Sequence, residues 1–123
     1  MQSRYWFWML LSALVILILL GWHMAIMHLE GILGHMVSIS AQPLAWEDVM
    51  ARGRNVFVVT SYVLLLGAGL FHGFFGLRTI LMEYWPGKAA EKVISRSCLV
   101  AGIILFSVGT YTTLTFHFFL PAP

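Results

Sequence analysis

Three long apolar segments constrain this chain more than any other feature of its sequence. They cover residues 5–27, 56–82 and 98–119, and each reaches the ~20 residues that an α-helix needs to cross a bilayer. Of the 123 residues, 60% are hydrophobic and 10% charged, which excludes a disordered chain and a nucleic-acid-binding domain. The single cysteine, Cys98, excludes a disulfide scaffold. We predict an all-α integral membrane protein, with three transmembrane helices in one domain over residues 1–123.

The basic residues predict how these spans are oriented. Segments rich in lysine and arginine stay in the cytoplasm. The N-terminus and the 83–97 segment are therefore expected to be cytoplasmic, and the 29–55 segment and the C-terminus to face outward. The cytoplasmic group comprises Arg4, Lys88, Lys92 and Arg96, whereas the outer segment has Arg52 and Arg54.

The segments between the spans also carry helix signals. Apolar residues recur near helical spacing over 29–40, which predicts a short interfacial helix that Gln42-Pro43 ends. Residues 46–50, with Glu47 and Asp48, are typical of the first turn of the next helix. Trp85-Pro86-Gly87 is expected to stop the second span.

Histidine is the notable polar residue inside the predicted spans. His23 lies in the outer part of the first span and His72 near the middle of the second. A polar residue at this depth costs roughly 2–3 kcal/mol unless it is used or paired. A neutral imidazole is a good axial ligand for haem iron. The alternative is helix packing through Gly69-x-x-x-Gly73, with His72 hydrogen-bonded to a neighbouring backbone, and spacing alone leaves both open.

The depths of the two histidines suggest two separate sites. At 1.5 Å per residue, His23 lies ~25 Å from Trp6 and His72 lies ~15 Å from Met82. Counted from the inner surface, the two histidines differ by ~10 Å in depth, so they are poor partners for one iron. We therefore expect halves of two bis-histidine sites, which another subunit completes to form an electron path.

Two short motifs carry a resemblance to a known family. The run His72-Gly73-Phe74-Phe75-Gly76-Leu77-Arg78, followed by Glu83-Tyr84, resembles the second helix of membrane anchor subunits of succinate dehydrogenase and fumarate reductase, respiratory complex II. The run Gly21-Trp22-His23-Met24-Ala25-Ile26-Met27 is similar to the helix that carries the outer haem ligand in the diheme branch. Glu83 stands where the single-haem branch has aspartate.

The resemblance implies a haem-b-binding anchor of a succinate:quinone or quinol:fumarate oxidoreductase, in a bacterial or archaeal cytoplasmic membrane. It has no complete active site of its own. His23 would ligate a distal haem b and His72 a proximal one, both shared with a second anchor subunit. A flavoprotein and an iron–sulfur subunit would bind at the cytoplasmic face. Electrons from succinate, a tricarboxylic acid cycle substrate, would pass to quinone.

Several further residues have two interpretations each. Arg78 is expected to pair with a haem propionate or to reach lipid phosphate. Glu83 and Tyr84 match the family's inner quinone pair, or are an interfacial acid and a belt aromatic. His28 is an alternative outer haem ligand, and with Glu30 and His35 it either serves a distal quinol site or is an exposed loop residue. We interpret His117 as interfacial and Cys98 as packing.

Two other functions stay open. The first is a one-haem or haem-free structural anchor of the same family. The second is a small transporter or channel subunit whose histidines relay protons. The spans lack the buried carboxylates expected of a proton path, which weighs against the second.

Overall fold

Three long helices and one short helix account for most of the computed structural model, which describes residues 2–37 and 44–119, with side chains from Arg4 to His28 and from Leu44 to Phe119. The long helices contain segments apolar and long enough to cross a membrane, which confirms the predicted all-α class and the three spans. The helices are α1 (Gln2–Val37), α2 (Trp46–Arg54), α3 (Val56–Tyr84) and α4 (Lys88–Phe118).

The turn between α3 and α4 is shorter than predicted. Helix α3 ends at Tyr84, as the following Trp85-Pro86-Gly87 predicts, and Gly87 adopts a φ of 142° that favours glycine. Helix α4 then begins at Lys88, ten residues before the expected start at 98. Lys88, Lys92 and Arg96 therefore lie on α4 itself, and the predicted 83–97 loop is a three-residue turn. An apolar segment marks only the part of a helix that lies inside the membrane. The helix itself continues into flanking polar residues of good helix propensity.

The segment between α1 and α3 also differs from the prediction. Helix α1 continues without a break to Val37, so the separate helix expected over 29–40 is the end of α1 as far as the structure describes it. Residues 38–40 and the break at Gln42-Pro43 lie outside the described residues. Glu47 and Asp48 do stand in a first turn, but it belongs to the separate helix α2.

Asn55 separates α2 from α3. Its extended backbone, with φ −78° and ψ 111°, ends α2. Its side-chain Oδ1 then accepts hydrogen bonds from the backbone N–H groups of Phe57 at 2.9 Å and Val58 at 3.4 Å. These two groups have no partner within their own helix, so Asn55 is the N-cap of α3.

Helix α3 is the centre of the bundle. It packs along α1 on one side and along α4 on another, and α2 lies against α3 and α4. Within the described residues, the backbones of α1 and α4 do not approach each other closely. We call the end of the bundle with Arg4 and the 85–87 turn the basic end, and the opposite end the α2 end.

Glycines let α3 and α4 approach each other. The Phe106 ring lies over Gly67, Phe74 lies over Gly102, and Leu66 lies over Gly109. A Cβ added at Gly109 would come within 2.5 Å of the Leu66 Cδ2 atom. This is the small-residue packing by which membrane helices associate.

Three other glycines of α3 form an open surface. A Cβ added at Gly69, Gly73 or Gly76 would meet no atom within 4 Å, other than the excluded neighbours on its own helix. Their spacing of four and three residues puts them on one side of α3. We call this surface the glycine face.

Few side chains are buried within the chain itself. Among the described residues the buried ones are Ser12, Met50, Val58, Val59 and Ser61. Only 17% of the apolar window of α3 and none of that of α4 is buried. The apolar surface of these helices therefore suits contact with lipid or with another protein.

Candidate functional site

His72 is held between α3 and α1 by a hydrogen bond. Its Nδ1 atom lies 3.1 Å from the Ser12 Oγ atom. Ser12 is 8% exposed and belongs to the first apolar segment. The alternative interpretation from sequence expected a backbone partner for this histidine, but its partner is a side chain on another helix.

The position of the proton on His72 depends on the direction of the Ser12 hydroxyl. The Ser12 hydroxyl donates to the backbone carbonyl of Met9 at 2.8 Å. A hydroxyl has one proton, so there are two arrangements: the hydroxyl donates to Met9 and the Ser12 oxygen accepts from the His72 Nδ1–H, or the hydroxyl turns to His72 and Nδ1 accepts. In the first arrangement, a neutral imidazole carries its proton on Nδ1 and keeps a lone pair on Nε2, the atom that is left for a metal.

His23 faces α3 near the other end of the bundle. Its ring lies 5.1 Å from the Tyr62 ring, centroid to centroid, at an angle of 73°. Its Nδ1 atom is buried and has no hydrogen-bond partner among the described residues. An unsatisfied buried polar atom costs about 1–3 kcal/mol, so this nitrogen is a candidate contact for a bound group.

The two histidines lie at different depths, and the contacts across the α1–α3 interface give the separation. Ser12 faces His72 and His23 faces Tyr62. Eleven residues of α1 and ten of α3 separate these two levels, which is about 15–16 Å at 1.5 Å per residue. The separation is larger than the ~10 Å from sequence. It leaves the two histidines unable to ligate one iron.

The glycine face lies beside His72. Gly69 and Gly76 are three residues before and four residues after the histidine, and Gly73 follows it directly. This spacing puts the imidazole next to a surface without side chains. Such a surface accepts a flat group or a closely packed helix.

A cavity of about 290 Å³ lies beside His23 at the α2 end. Tyr62 of α3 and Arg52 of α2 line it together with Thr112 and Thr113 of α4. His117 closes the α2–α4 contact nearby, since its Nδ1–H donates to the Gly53 carbonyl at 2.9 Å. The interfacial histidine of the sequence analysis thus joins two helices.

Arg78 lies between α3 and α4 at the basic end. Its Nε–H donates to the Ser95 hydroxyl at 2.7 Å, and its Nη2 atom lies 3.2 Å from the Glu91 carboxylate. The Arg78 side chain is 28% exposed and the Glu91 side chain is 50% exposed, so the ion pair between them is partly solvated. The propionate role of Arg78 stays a prediction.

The candidate quinone residues lie on the surface at the basic end. Glu83 is exposed. Tyr84 is 77% exposed, with its ring 6.3 Å from that of Trp85. Neither residue lines the cavity beside His23.

The remaining candidates lie apart from this arrangement. His28 is exposed on α1, whereas the side chains of Glu30 and His35 lie outside the described part of the chain. Cys98 is a free, half-buried thiol. No cluster of three or more metal-ligating side chains occurs among the described residues, so any metal would need ligands from elsewhere.

Sequence reasoning missed Ser12, Tyr62 and Ser95. Ser12 had a usable signal, since it is a lone hydroxyl between apolar residues of a span. Tyr62 and Ser95 had none, because their contacts join residues on different helices.

Comparison with known proteins gives no relative. No family model matches the chain, and neither the curated proteins nor the solved structures contain a significant match.

Proposed function

We propose that this chain is a haem-b-binding membrane anchor of a succinate:quinone or quinol:fumarate oxidoreductase. It would hold a flavoprotein and an iron–sulfur subunit at a cytoplasmic membrane and help electrons reach quinone. The proposal rests on the resemblance of the His72 and His23 motifs to this family. Among structural observations, the arrangement of these two histidines supports it most.

That arrangement suits one ligand for each of two haems. With the Ser12 hydroxyl turned to Met9, His72 would carry its proton on Nδ1, which leaves Nε2 in the form that binds iron. His23 has an unpaired buried nitrogen. The separation of about 15–16 Å suits two haems at different depths.

The second ligand of each haem would come from another subunit. The chain offers one intramembrane histidine at each level, and the glycine face leaves open surface beside His72. A second small anchor that packs against the glycine face would supply the second axial ligand of each haem. When bound, haem supplies one-electron transfer.

The remaining tasks fall to side chains at the basic end. Of the two roles expected for Arg78, contact with a lipid phosphate fits its position between α3 and α4, where it bonds to Ser95 and Glu91. Glu83 and Tyr84, both exposed, would reach quinone only if a neighbouring subunit covers them. Tyr84 would then donate a hydrogen bond to a quinone carbonyl, and Glu83 would exchange protons with water.

A haem-free or one-haem anchor is the second candidate, and the Ser12–His72 hydrogen bond also favours it. A histidine that is satisfied by a serine on the next helix stabilises the α1–α3 contact without any cofactor. Haem content separates these two functions.

The first test is the haem content of the membrane complex purified with this chain. A dithionite-reduced minus oxidised spectrum with pyridine haemochrome quantitation should give about two b haems per copy. One haem would support the one-haem anchor. No haem would contradict the proposal and leave the structural anchor or a transport subunit.

Histidine variants then test the assignment of the ligands. His23→Ala and His72→Ala should each remove one haem, because each takes away an axial ligand. His28→Ala is the matched control, since His28 is exposed on the same helix as His23, and it should retain both haems. If His28→Ala removes a haem and His23→Ala does not, the assignment is wrong.

A further inference from the structure

A groove between α3 and α4 runs from the basic end into the apolar part of the bundle. Its volume is about 460 Å³. Phenylalanine rings from both helices form much of its wall, and it opens to the outside. The rings that line it are those of Phe71, Phe74, Phe75 and Phe106.

A basic pocket adjoins this groove at the bundle end. Lys88, Lys92 and Arg96 line it together with Glu91 and Ser95. Ser95 also lines the apolar groove, so the two cavities adjoin at this residue. Three cations against one carboxylate leave the pocket with a net positive charge.

One stripe of α4 carries both cavities. The positions follow each other at intervals of three or four residues, which keeps them on one side of a helix. They change from charged to apolar at Ser95. The stripe consists of Lys88, Lys92, Ser95, Leu99, Ile103 and Phe106.

Arg78 lies at the junction of the two cavities, and its contacts with α4 use only some of its N–H groups. Its guanidinium has five N–H groups, and Ser95 and Glu91 engage two of them. These two contacts hold the guanidinium in position at the end of the groove. The remaining N–H groups are available to a phosphate.

The length of the groove matches one leaflet of a bilayer. From Ser95 to Phe106 there are eleven residues, which is about 16 Å of helix. This is close to half of the ~30 Å hydrocarbon core. An acyl chain along the groove would therefore reach about the middle of the membrane, with its headgroup at Lys92 and Arg96.

We propose that the α3–α4 groove is a specific site for one anionic phospholipid of the leaflet at the basic end. Its phosphate contacts Arg78, Lys92 and Arg96, and one acyl chain lies on the phenylalanine rings. With Arg78 and its partner Glu91 counted together, four cations face one carboxylate at this junction, so the net charge stays positive. The site selects against zwitterionic lipids because their headgroups bring a second positive charge into the basic pocket.

The test is lipid retention by the purified complex that contains the full chain. Phosphatidylglycerol and phosphatidylcholine are supplied in equal amounts in detergent, and native mass spectrometry counts bound lipids. The wild type should retain phosphatidylglycerol preferentially. Each Lys or Arg beside an anionic lipid contributes about fivefold, so Lys92→Gln/Arg96→Gln should lower the preference by at least about tenfold. Arg4→Gln is the control, because it removes a cation at the same end but outside this groove.

A second pair of variants tests the apolar part. Ile103→Trp fills the groove, whereas Ile104→Trp puts the same exposed side chain on the next position, which does not line it. Only Ile103→Trp should lower retention of phosphatidylglycerol. Equal retention of both lipids by the wild type, or an unchanged preference in the charge variant, would overturn the proposal. Release of a protein subunit instead of lipid by Ile103→Trp would assign the groove to that subunit.

Discussion

Ser12 and Ser61 are both buried serines that donate to the backbone carbonyl three residues earlier, but only Ser12 also contacts a histidine. In a lipid-facing helix, such a backbone bond already satisfies the hydroxyl. The second contact of Ser12, with His72, is therefore not needed to satisfy the serine hydroxyl; it positions the histidine. Its effect is to hold the imidazole in one orientation.

Ser12→Ala should change the properties of any haem that His72 ligates. A hydrogen bond from Nδ1–H makes the imidazole a stronger donor to iron, and a stronger donor favours the ferric state. Loss of the bond should therefore raise the midpoint potential of one haem by about 20–60 mV, the equivalent of one hydrogen bond. Redox titration of the purified complex, followed in the visible spectrum, measures this shift.

Ser61→Ala is the matched control, since it removes a buried serine of the same local geometry and should leave both potentials unchanged. Nitrogen NMR of histidine-labelled protein without haem gives an independent readout. His72 should be protonated at Nδ1 in the wild type and a tautomer mixture in Ser12→Ala. The same tautomer mixture in both proteins would refute the role of Ser12.

Of the Ser12–His72 pair, only His72 could be predicted from the sequence. His72 stands out as a polar residue in an apolar span. Its pairing with Ser12 joins positions sixty residues apart, and it depends on how α1 rotates against α3. No local pattern specifies that rotation, because both helices are apolar on nearly all sides.

At the scale of the helices, glycines have two different surroundings. Gly67, Gly102 and Gly109 lie under side chains of the facing helix, whereas Gly69 and Gly73 face open space. Glycine costs helix stability in either place. Within this chain, only Gly67, Gly102 and Gly109 offset this cost by letting a side chain of the facing helix pack closely.

Gly109→Val should therefore destabilise the chain more than Gly69→Val. The new Cβ atom at Gly109 would come within 2.5 Å of Leu66, and overpacking of this kind typically costs about 1–3 kcal/mol. A Cβ atom added at Gly69 meets no atom within 4 Å beyond the neighbours on its own helix. Unfolding of the chain in mixed detergent micelles, followed by circular dichroism, compares the two free energies. Equal losses would contradict the packing described for α3 and α4.

The sequence predicted which helices exist better than where they begin. The three spans follow from apolar length, and the end of α3 follows from Pro86 and Gly87. The start of α4 was missed by ten residues, since Lys88 to Ser97 is helical but polar. Helix α2 was taken for part of α3 because the cap at Asn55 depends on its side-chain geometry.

At the scale of the whole molecule, the basic residues are distributed unequally between the two ends. Arg4, Arg78 and the three cations on α4 lie at one end, while Arg52 and Arg54 lie on α2 at the other. The positive-inside rule weighs such differences near the ends of spans. We therefore expect the basic end to be cytoplasmic.

Cysteine labelling tests this orientation. In a Cys98→Ala background, Leu44→Cys and Lys88→Cys introduce thiols at exposed positions near opposite ends. A membrane-impermeant maleimide should label Leu44→Cys in right-side-out vesicles and Lys88→Cys in inside-out vesicles. The reverse pattern would show that the N-terminus faces outward.

The central position of α3 also has a consequence for biosynthesis. Helix α1 leaves the ribosome before α3, which is its only intramembrane partner in the described chain. Before α3 is present, exposure of Ser12 to lipid costs little free energy, because its hydroxyl can donate to the Met9 carbonyl of its own helix. Helices α3 and α4 follow with a three-residue turn between them, so they can pair as they are inserted. The hydrogen bond between Ser12 and His72 therefore forms only when α1 packs against α3.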